Sequence, residues 1–236
     1  MQDGLEPIPY RDGVTGLTGW LARPVAKARA AILIFPTIAN ANQAVERRAM
    51  MLADAGYLAM IADFYGAPVS NFEAAGALAQ KLRDNPETYR ARLRAAIGAL
   101  RAHPDAAGLS MAAIGYCMGG QAALEAARDG AELAAAVSFH GLLDTARPAA
   151  AGAIRGRLLV CHGDADPMVP RSQVLAFWQE MDAAEATWHF HSYSGVKHGF
   201  TDPGSDARGL PAIAYNASAD RESWTAMLGL FREVFA

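Results

Sequence analysis

The stretch Met111-Ala112-Ala113-Ile114-Gly115-Tyr116-Cys117-Met118-Gly119-Gly120-Gln121-Ala122-Ala123-Leu124-Glu125 decides the predicted fold of this chain. A short apolar run leads into a Gly-x-Cys-x-Gly turn, and an alanine-rich segment typical of a helix follows it. This order is typical of a tight strand-to-helix turn, in which glycines flank the central residue because a Cβ atom would clash there. The first amides of the helix point at the turn, where they lower a thiol pKa and stabilise an oxyanion. We predict that Cys117 is a nucleophile, against the alternative that it is a buried packing residue.

The composition indicates a single α/β domain over residues 1–236. Of these residues 52% are hydrophobic and 19% are charged, and no Pro/Gly/Ser-rich linker divides them. The formal net charge of -3 argues against nucleic acid as a partner. No signal-type segment or membrane-length apolar run is visible, so we expect a cytoplasmic protein with reduced thiols at Cys117 and Cys161 and no membrane partner. The six histidines lack the spacing of zinc ligands, and we expect neither a metal nor an organic cofactor.

Apolar runs and helical segments alternate along the chain. The predicted strands are 30–35, 57–62, 111–114, 134–139, 158–161 and 187–193, with one or two antiparallel edge strands within 1–24. The predicted helices are 43–55, 71–101 with a break at 85–86, 118–128, 174–183 and 218–235, the last with Trp224, Leu228 and Phe231 on its inner face. Arg92 and Arg94 are expected on a solvated face. The alternation predicts an α/β fold with a mostly parallel central sheet and helices on both faces.

Three residues capable of nucleophilic catalysis each follow a predicted strand: Cys117, Asp166 and His198. The carboxyl ends of parallel strands meet at one edge of a sheet, where ligands bind. His198 lies in a glycine-rich loop and is expected to act as the base and then as the acid. Asp166 is expected to accept the other ring N–H and fix the tautomer. Asp164 competes for this role, but the Asp166-Pro167 step makes a rigid turn that favours Asp166.

An oxyanion intermediate needs two backbone N–H donors. The first is expected from Met118, directly after the nucleophile. The second is expected from the loop after the 30–35 strand, where Ile38 is the best candidate. We further expect Thr37, His140 and Phe200 to contact the substrate.

Four motifs resemble the dienelactone hydrolase family, whose members are carboxymethylenebutenolidase-like α/β-hydrolases. They are Gly115-Tyr116-Cys117-Met118-Gly119-Gly120, Gly163-x-x-Asp166-x-x-Val169-Pro170, His198-Gly199-Phe200 and Asp63-Phe64-Tyr65-Gly66. The resemblance extends from about residue 30 to the C-terminus. It implies the α/β-hydrolase fold, a catalytic triad of Cys117, Asp166 and His198, and oxyanion donors at Ile38 and Met118.

Two positions depart from the pattern of the best-studied family members. Those members carry a glutamate where this chain has Thr37, and an arginine shortly after the catalytic histidine where this chain has Thr201 and Asp202. An aspartate repels a substrate carboxylate, which an arginine would bind. The resemblance therefore implies hydrolysis but does not support dienelactone as the substrate. Without the glutamate, we expect a resting thiolate–imidazolium pair and a lowered Cys117 pKa.

These observations predict a cysteine-dependent hydrolase of small esters or lactones that acts through an acyl-thioester intermediate. Its expected partner is a small ester or lactone, and its expected state is a monomer or small homo-oligomer. An alternative is a non-catalytic ligand-binding or thiol-sensing protein on a hydrolase scaffold. A glutamine amidotransferase is disfavoured, because no glutamate lies two residues after His191 or His198.

Overall fold

The computed structural model describes residues 4–236, so the first three residues of the predicted N-terminal strand region lie outside it. The strands are β1 (Glu6–Asp12), β2 (Thr15–Ala22), β3 (Ala31–Phe35), β4 (Leu58–Ile61), β5 (Met111–Tyr116), β6 (Ala135–Phe139), β7 (Arg157–Gly163) and β8 (Trp188–Tyr193). The helices are α1 (Gln43–Asp54), α2 (Phe72–Arg83), α3 (Pro86–Arg101), α4 (Met118–Arg128), α5 (Arg171–Ala183) and α6 (Ala217–Val234). The chain divides into two compact units, one up to Ile114 and one from Gly115, with the boundary inside β5.

In the first unit, the strands are hydrogen-bonded in the order β1-β2-β4-β3. β1 and β2 form the predicted antiparallel pair, β2 is antiparallel to β4, and β3 is parallel to β4. Every residue of β3 is buried, as expected for a strand covered on both faces, whereas burial alternates along β1. Helix α1 packs on β2, β3 and β4, and α3 packs on β1 and β3.

Asparagine side chains begin the helices of the first unit. Asn42 accepts hydrogen bonds from the amides of Ala44 and Val45 at the start of α1. The predicted break at 85–86 is confirmed, because Asn85 is the N-cap of α3 and Pro86 is its first residue.

The expectation that Arg92 is solvated is wrong. Its side chain is only 8% exposed, forms a 2.8 Å ion pair with Asp12 and donates to the carbonyl of Phe64. Arg94 is exposed as expected. A buried guanidinium requires such partners, because an unpaired charge is costly to remove from water.

In the second unit, β6, β7 and β8 are parallel neighbours. One part of the core combines apolar side chains of α4, β6, β7 and α5, among them Leu124, Ala136, Val160 and Phe177. Helix α6 packs on β6 and β7. Its prediction is confirmed in extent, but its inner face differs: Met227, Leu230 and Phe231 are buried, whereas Trp224 and Leu228 are half-buried.

The predicted α/β fold with a mostly parallel sheet is confirmed. Each predicted central strand is present within two residues of its expected limits, and antiparallel pairing involves β1 and β2. None of the helices within residues 4–236 combines the length and apolar character of a membrane span.

Candidate active site

Cys117 is the single residue between the end of β5 and the start of α4. Its φ of 57° and ψ of -119° lie in a region that non-glycine residues rarely adopt, and such strain is typical of functional turns. A Cβ atom on Gly115 would lie 1.8 Å from the carbonyl oxygen of Gly119. The first glycine of the Gly-x-Cys-x-Gly sequence therefore has a steric cause, because strand and helix approach each other too closely for a side chain at Gly115.

Hydrogen bonds hold the backbone of Cys117 on both sides. Its N–H donates to the carbonyl of Phe139 at 3.0 Å and to Nδ1 of His140 at 3.1 Å. Its carbonyl accepts the amide of Gly120 at 2.9 Å. Met118, the predicted first oxyanion donor, is the first residue of α4 and lies at the positive end of the helix dipole.

Asp166 and His198 form a buried pair. The Nδ1–H of His198 donates to Oδ2 of Asp166 at 2.7 Å, and Oδ1 of Asp166 accepts the amide of Met168 at 2.9 Å. The competing residue Asp164 instead makes two hydrogen bonds to Arg171, at 2.9 and 2.7 Å, and these bonds lower its pKa. Asp166 therefore contacts the histidine, and Asp164 makes an ion pair with an exposed arginine.

The second nitrogen of His198, Nε2, is buried and has no partner within ordinary hydrogen-bond limits in the described chain. Burial alone lowers the pKa of His198. The charge of Cys117 and the hydrogen bond and charge of Asp166 outweigh burial and raise this pKa to about 10. Within the second unit, Asp166 thus contacts His198 directly, and the charge of Cys117 acts on the same ring. The catalytic roles of these three residues stay a prediction.

The loop that carries His198 is fixed by backbone pairing. The N–H of His198 donates to Ala212 at 3.2 Å, and its carbonyl accepts the amide of Ala214 at 3.1 Å. Gly199 follows with a φ of 69°, a conformation that favours glycine. The predicted glycine-rich loop is therefore held in one conformation around the histidine.

His140 and Phe200, two of the predicted substrate contacts, are buried in the second unit. The ring of His140 lies edge-on to His198 and to Phe200, with centroids 5.0 and 5.2 Å apart, and Phe200 also packs on Tyr193. Their contact with substrate stays a prediction. Cys161 is fully buried, as expected for a core thiol, and burial raises its pKa to about 12 despite a hydrogen bond with Tyr193.

Thr37 and Ile38, the predicted site residues of the first unit, are half-buried in the loop after β3. The hydroxyl oxygen of Thr37 accepts hydrogen bonds from the amide of Ala39 at 3.2 Å and the side chain of Asn42 at 3.1 Å. The carbonyl of Ile38 accepts the hydroxyl of Tyr65 at 3.1 Å. The roles of Ile38 as an oxyanion donor and of Thr37 as a substrate contact stay predictions.

A network around Asn40 and Asp63 stabilises this loop, and the sequence does not reveal it. Asn40 has a φ of 61°; its side chain donates to Asp63 at 2.8 Å and accepts the amide of Phe64 at 3.0 Å. Asp63 also accepts the amides of Tyr65 at 2.9 Å and Thr18 at 3.0 Å. The available signal was asparagine itself, which tolerates positive φ. The Asp63-Phe64-Tyr65-Gly66 motif thus has a structural role in the first unit.

The negative charge of Asp202 is compensated. Its carboxylate forms an ion pair with Arg208 and accepts the amide of Gly204 at 2.8 Å. The repulsion of a substrate carboxylate expected from Asp202 is therefore weakened. Within residues 4–236, no cluster of three or more His, Cys, Asp or Glu side chains is arranged to hold a metal ion.

The chain is similar to several known proteins. The sequence model of the dienelactone hydrolase family matches residues 17–235. A crystal structure described as a dienelactone hydrolase-like promiscuous phosphotriesterase, P91 from metagenomic libraries, is 36% identical, covers 98% of each chain and has a TM-score of 0.92. A Bradyrhizobium sp. protein, named a probable 2-oxo-3-(5-oxofuran-2-ylidene)propanoate lactonase, is 27% identical over 87% of this chain and 84% of its own. An α/β hydrolase from a Medee basin deep-sea metagenome is 20% identical over 99% of each chain, with a TM-score of 0.64, and shows the fold alone.

Proposed function

Because this chain belongs to the dienelactone hydrolase family, we propose that it is a cysteine-dependent hydrolase of small esters or lactones. One observation carries the proposal: the buried Asp166–His198 pair is electrostatically coupled to Cys117, which lies on a strained strand-to-helix turn. A nucleophile, a base and a residue that orients the base are the parts that nucleophilic catalysis requires.

In the acylation step, the thiolate of Cys117 attacks the carbonyl carbon of the substrate. A C–S bond forms, and the carbonyl electron pair moves to oxygen. As the oxyanion collapses, the C–O bond to the leaving alcohol breaks, and the His198 imidazolium gives its Nε2 proton to the departing oxygen. In a lactone this alcohol remains attached to the acyl group, so ring opening is the same step.

In the deacylation step, water attacks the thioester carbon. Neutral His198 takes a proton from that water, a C–O bond forms and the C–S bond breaks. The products are a carboxylic acid and a Cys117 thiolate beside protonated His198, which restores the resting pair. Asp166 stabilises the imidazolium through its 2.7 Å hydrogen bond.

Two backbone amides are proposed to bind the oxyanion of both steps. Met118 is supported by its position at the first turn of α4, directly after the nucleophile. Ile38 is supported by the rigid loop that the Asn40–Asp63 network maintains in the first unit.

The proposed substrates are neutral esters and lactones. Thr37 has no charge, and Asp202 is already paired with Arg208, so neither residue offers a cation for a substrate carboxylate. Phosphotriesters are a second class to test, because the similar P91 protein is described as a promiscuous phosphotriesterase.

The test is steady-state hydrolysis of a panel of small neutral esters, neutral lactones, one dienelactone and one phosphotriester. Cys117→Ala is compared with Cys161→Ala, which removes the other cysteine from the buried core of the same unit. We expect turnover of at least one ester or lactone that vanishes in Cys117→Ala and persists in Cys161→Ala.

Turnover that survives in Cys117→Ala would exclude the cysteine mechanism. If no panel member is hydrolysed while Cys117 is still alkylated readily, the thiol-sensing alternative would replace the hydrolase. A preference for the dienelactone over neutral lactones would contradict the proposed substrate class.

A further inference from the structure

We propose that His140 is a positioning residue. In one fixed, neutral tautomer, its ring holds the Cys117 turn and the His198 ring in a fixed geometry relative to each other. This inference rests on the proposed role of Cys117 as the nucleophile. His140 follows β6 directly, and its side chain is buried.

The hydrogen bonds of His140 determine its tautomer. The amide of Cys117 can only donate, so Nδ1 of His140, 3.1 Å away, must be an acceptor without a proton. The proton of neutral His140 is therefore on Nε2, from which it is donated to Oγ1 of Thr201 at 2.8 Å. Thr201 thus selects the tautomer whose Nδ1 lone pair faces the nucleophile's backbone.

The backbone of His140 is strained in the same way as that of Cys117. Its φ is 42°, although neither residue is a glycine, and its amide is anchored to the carbonyl of Cys161 at 2.9 Å. Strained residues persist when surrounding contacts over-determine them, and they cluster at functional sites. Here two strained residues are joined directly by a hydrogen bond from one to the ring of the other.

The same ring also contacts the base. The rings of His140 and His198 meet at 68° with centroids 5.0 Å apart, and Phe200 supports His140 at 75°. His198 is thus fixed by Asp166 at Nδ1 and by His140 against its ring. One side chain therefore contacts both the backbone of the nucleophile and the ring of the base.

Loss of the contacts that His140 makes with Cys117 and His198 is expected to lower the rate of the chemical step more than the affinity for substrate. Sγ of Cys117 and Nε2 of His198 must meet in one geometry for proton transfer, and a misplacement of about 1 Å can cost about a hundredfold in rate. The hydrogen bond to His140 acts on Cys117 through its backbone, so the effect should appear in kcat and in thiol reactivity rather than in KM.

The test uses two variants of the full chain. His140→Phe keeps an aromatic ring and removes the acceptor. His140→Asn returns an oxygen acceptor close to the position of Nδ1 and tolerates positive φ. The matched control is Ser138→Ala on β6, the strand directly before His140; the buried hydroxyl of Ser138 has no partner in the described chain. Measurements are kcat and KM on the best panel ester, the rate of Cys117 alkylation by iodoacetamide, and the thermal unfolding midpoint.

We expect His140→Phe to lower kcat about a hundredfold and to slow alkylation about tenfold, with KM changed less than about threefold. His140→Asn should recover most of both rates, and Ser138→Ala should match the wild type. A folded His140→Phe with unchanged kcat and alkylation would overturn the proposal, and so would a His140→Asn that folds without any recovery. If His140→Phe does not fold, the Asn variant decides: activity within about tenfold of wild type supports the role, and a larger loss overturns it.

A failure of the proposed function gives a different result. If wild-type Cys117 is not alkylated and no panel member is hydrolysed, the role of Cys117 as the nucleophile is excluded. The positioning role of His140 is then excluded with it. If the wild type hydrolyses esters and the His140 variants do so equally well, only the positioning role is overturned.

Discussion

Asp166 influences the proposed chemistry only through the ring of His198. Its carboxylate is one of the two groups that raise the pKa of that ring, and it also fixes the ring's orientation. In Asp166→Asn the charge is lost, so we expect kcat to fall by about a thousandfold to ten-thousandfold. The alkaline limit of activity should move to lower pH, because a less stabilised imidazolium loses its proton earlier. A pH profile of kcat for the wild type and the variant checks both expectations.

Asp164 provides the control for this substitution. It lies two residues before Asp166 on the same loop, but its carboxylate pairs with exposed Arg171. Asp164→Asn should leave kcat and its pH profile unchanged, since Asp164 pairs with Arg171 and is not among the groups that shift the pKa of His198. An equal loss of activity in the two variants would mean that the loop, and not the Asp166 carboxylate, is what catalysis needs.

At the level of elements, the junction of β5 and α4 requires glycine at position 115. A Cβ atom there would lie 1.8 Å from the carbonyl oxygen of Gly119 and 2.7 Å from the amide nitrogen of Gly120, so backbone atoms rather than a flexible side chain would have to shift. We expect Gly115→Ala to lower the free energy of unfolding by about 3 kcal/mol or more. Cys117 alkylation should also be lost at temperatures where the chain remains folded. Urea unfolding and mass spectrometry measure the two effects.

Gly98 shows that the effect of a glycine-to-alanine substitution on the free energy of unfolding depends on where the glycine lies. Gly98 lies on the exposed side of α3, and a Cβ atom there would have nothing within 4 Å. Gly98→Ala should raise the free energy of unfolding by about 0.5–1 kcal/mol, because alanine loses less backbone entropy in a helix. If Gly115→Ala had the same free energy of unfolding as Gly98→Ala, α4 could not lie as close to β5 as the 1.8 Å contact requires.

Elements and their junctions could be predicted from the sequence because their signals are local. Apolar runs, the proline break at 85–86 and the Gly-x-Cys-x-Gly turn each act within a few residues. The strand that precedes Asp166 was predicted in the same way, from an apolar run. The burial of Arg92 could not be predicted, because its partner Asp12 lies 80 positions away. The structural roles of Thr201 and Asn40 were not predicted for the same reason. Thr201 bonds to His140 and Asn40 to Asp63, and each partner comes close only when the chain folds.

At the scale of the whole molecule, the buried titratable groups of the second unit determine how stability depends on pH. His198 has a folded-state pKa of about 10, above its usual 6.5, so its stabilising contribution is present at low pH and is lost as pH rises through 10. Cys161 has a pKa raised to about 12 by burial, and its contribution is likewise lost at alkaline pH. Both groups bind a proton in the folded state that the unfolded chain has already released.

The free energy of unfolding should therefore fall as pH rises above about 8.5. Between about 6.5 and 8.5, the unfolded chain keeps its Cys117 proton while the folded chain keeps the His198 proton, so a thiolate–imidazolium pair leaves the proton balance unchanged. Between about 8.5 and 10, the folded chain holds two protons that the unfolded chain has released, one on His198 and one on Cys161, and each makes stability fall by about 1.4 kcal/mol per pH unit. Urea unfolding of the wild type and Cys117→Ser from pH 7 to 10 measures this slope. The serine variant lacks the thiolate that raises the pKa of His198, so it should keep only the decline due to Cys161, which is about half of the wild-type slope. Equal slopes in the two proteins would show that no thiolate–imidazolium pair exists in the folded state.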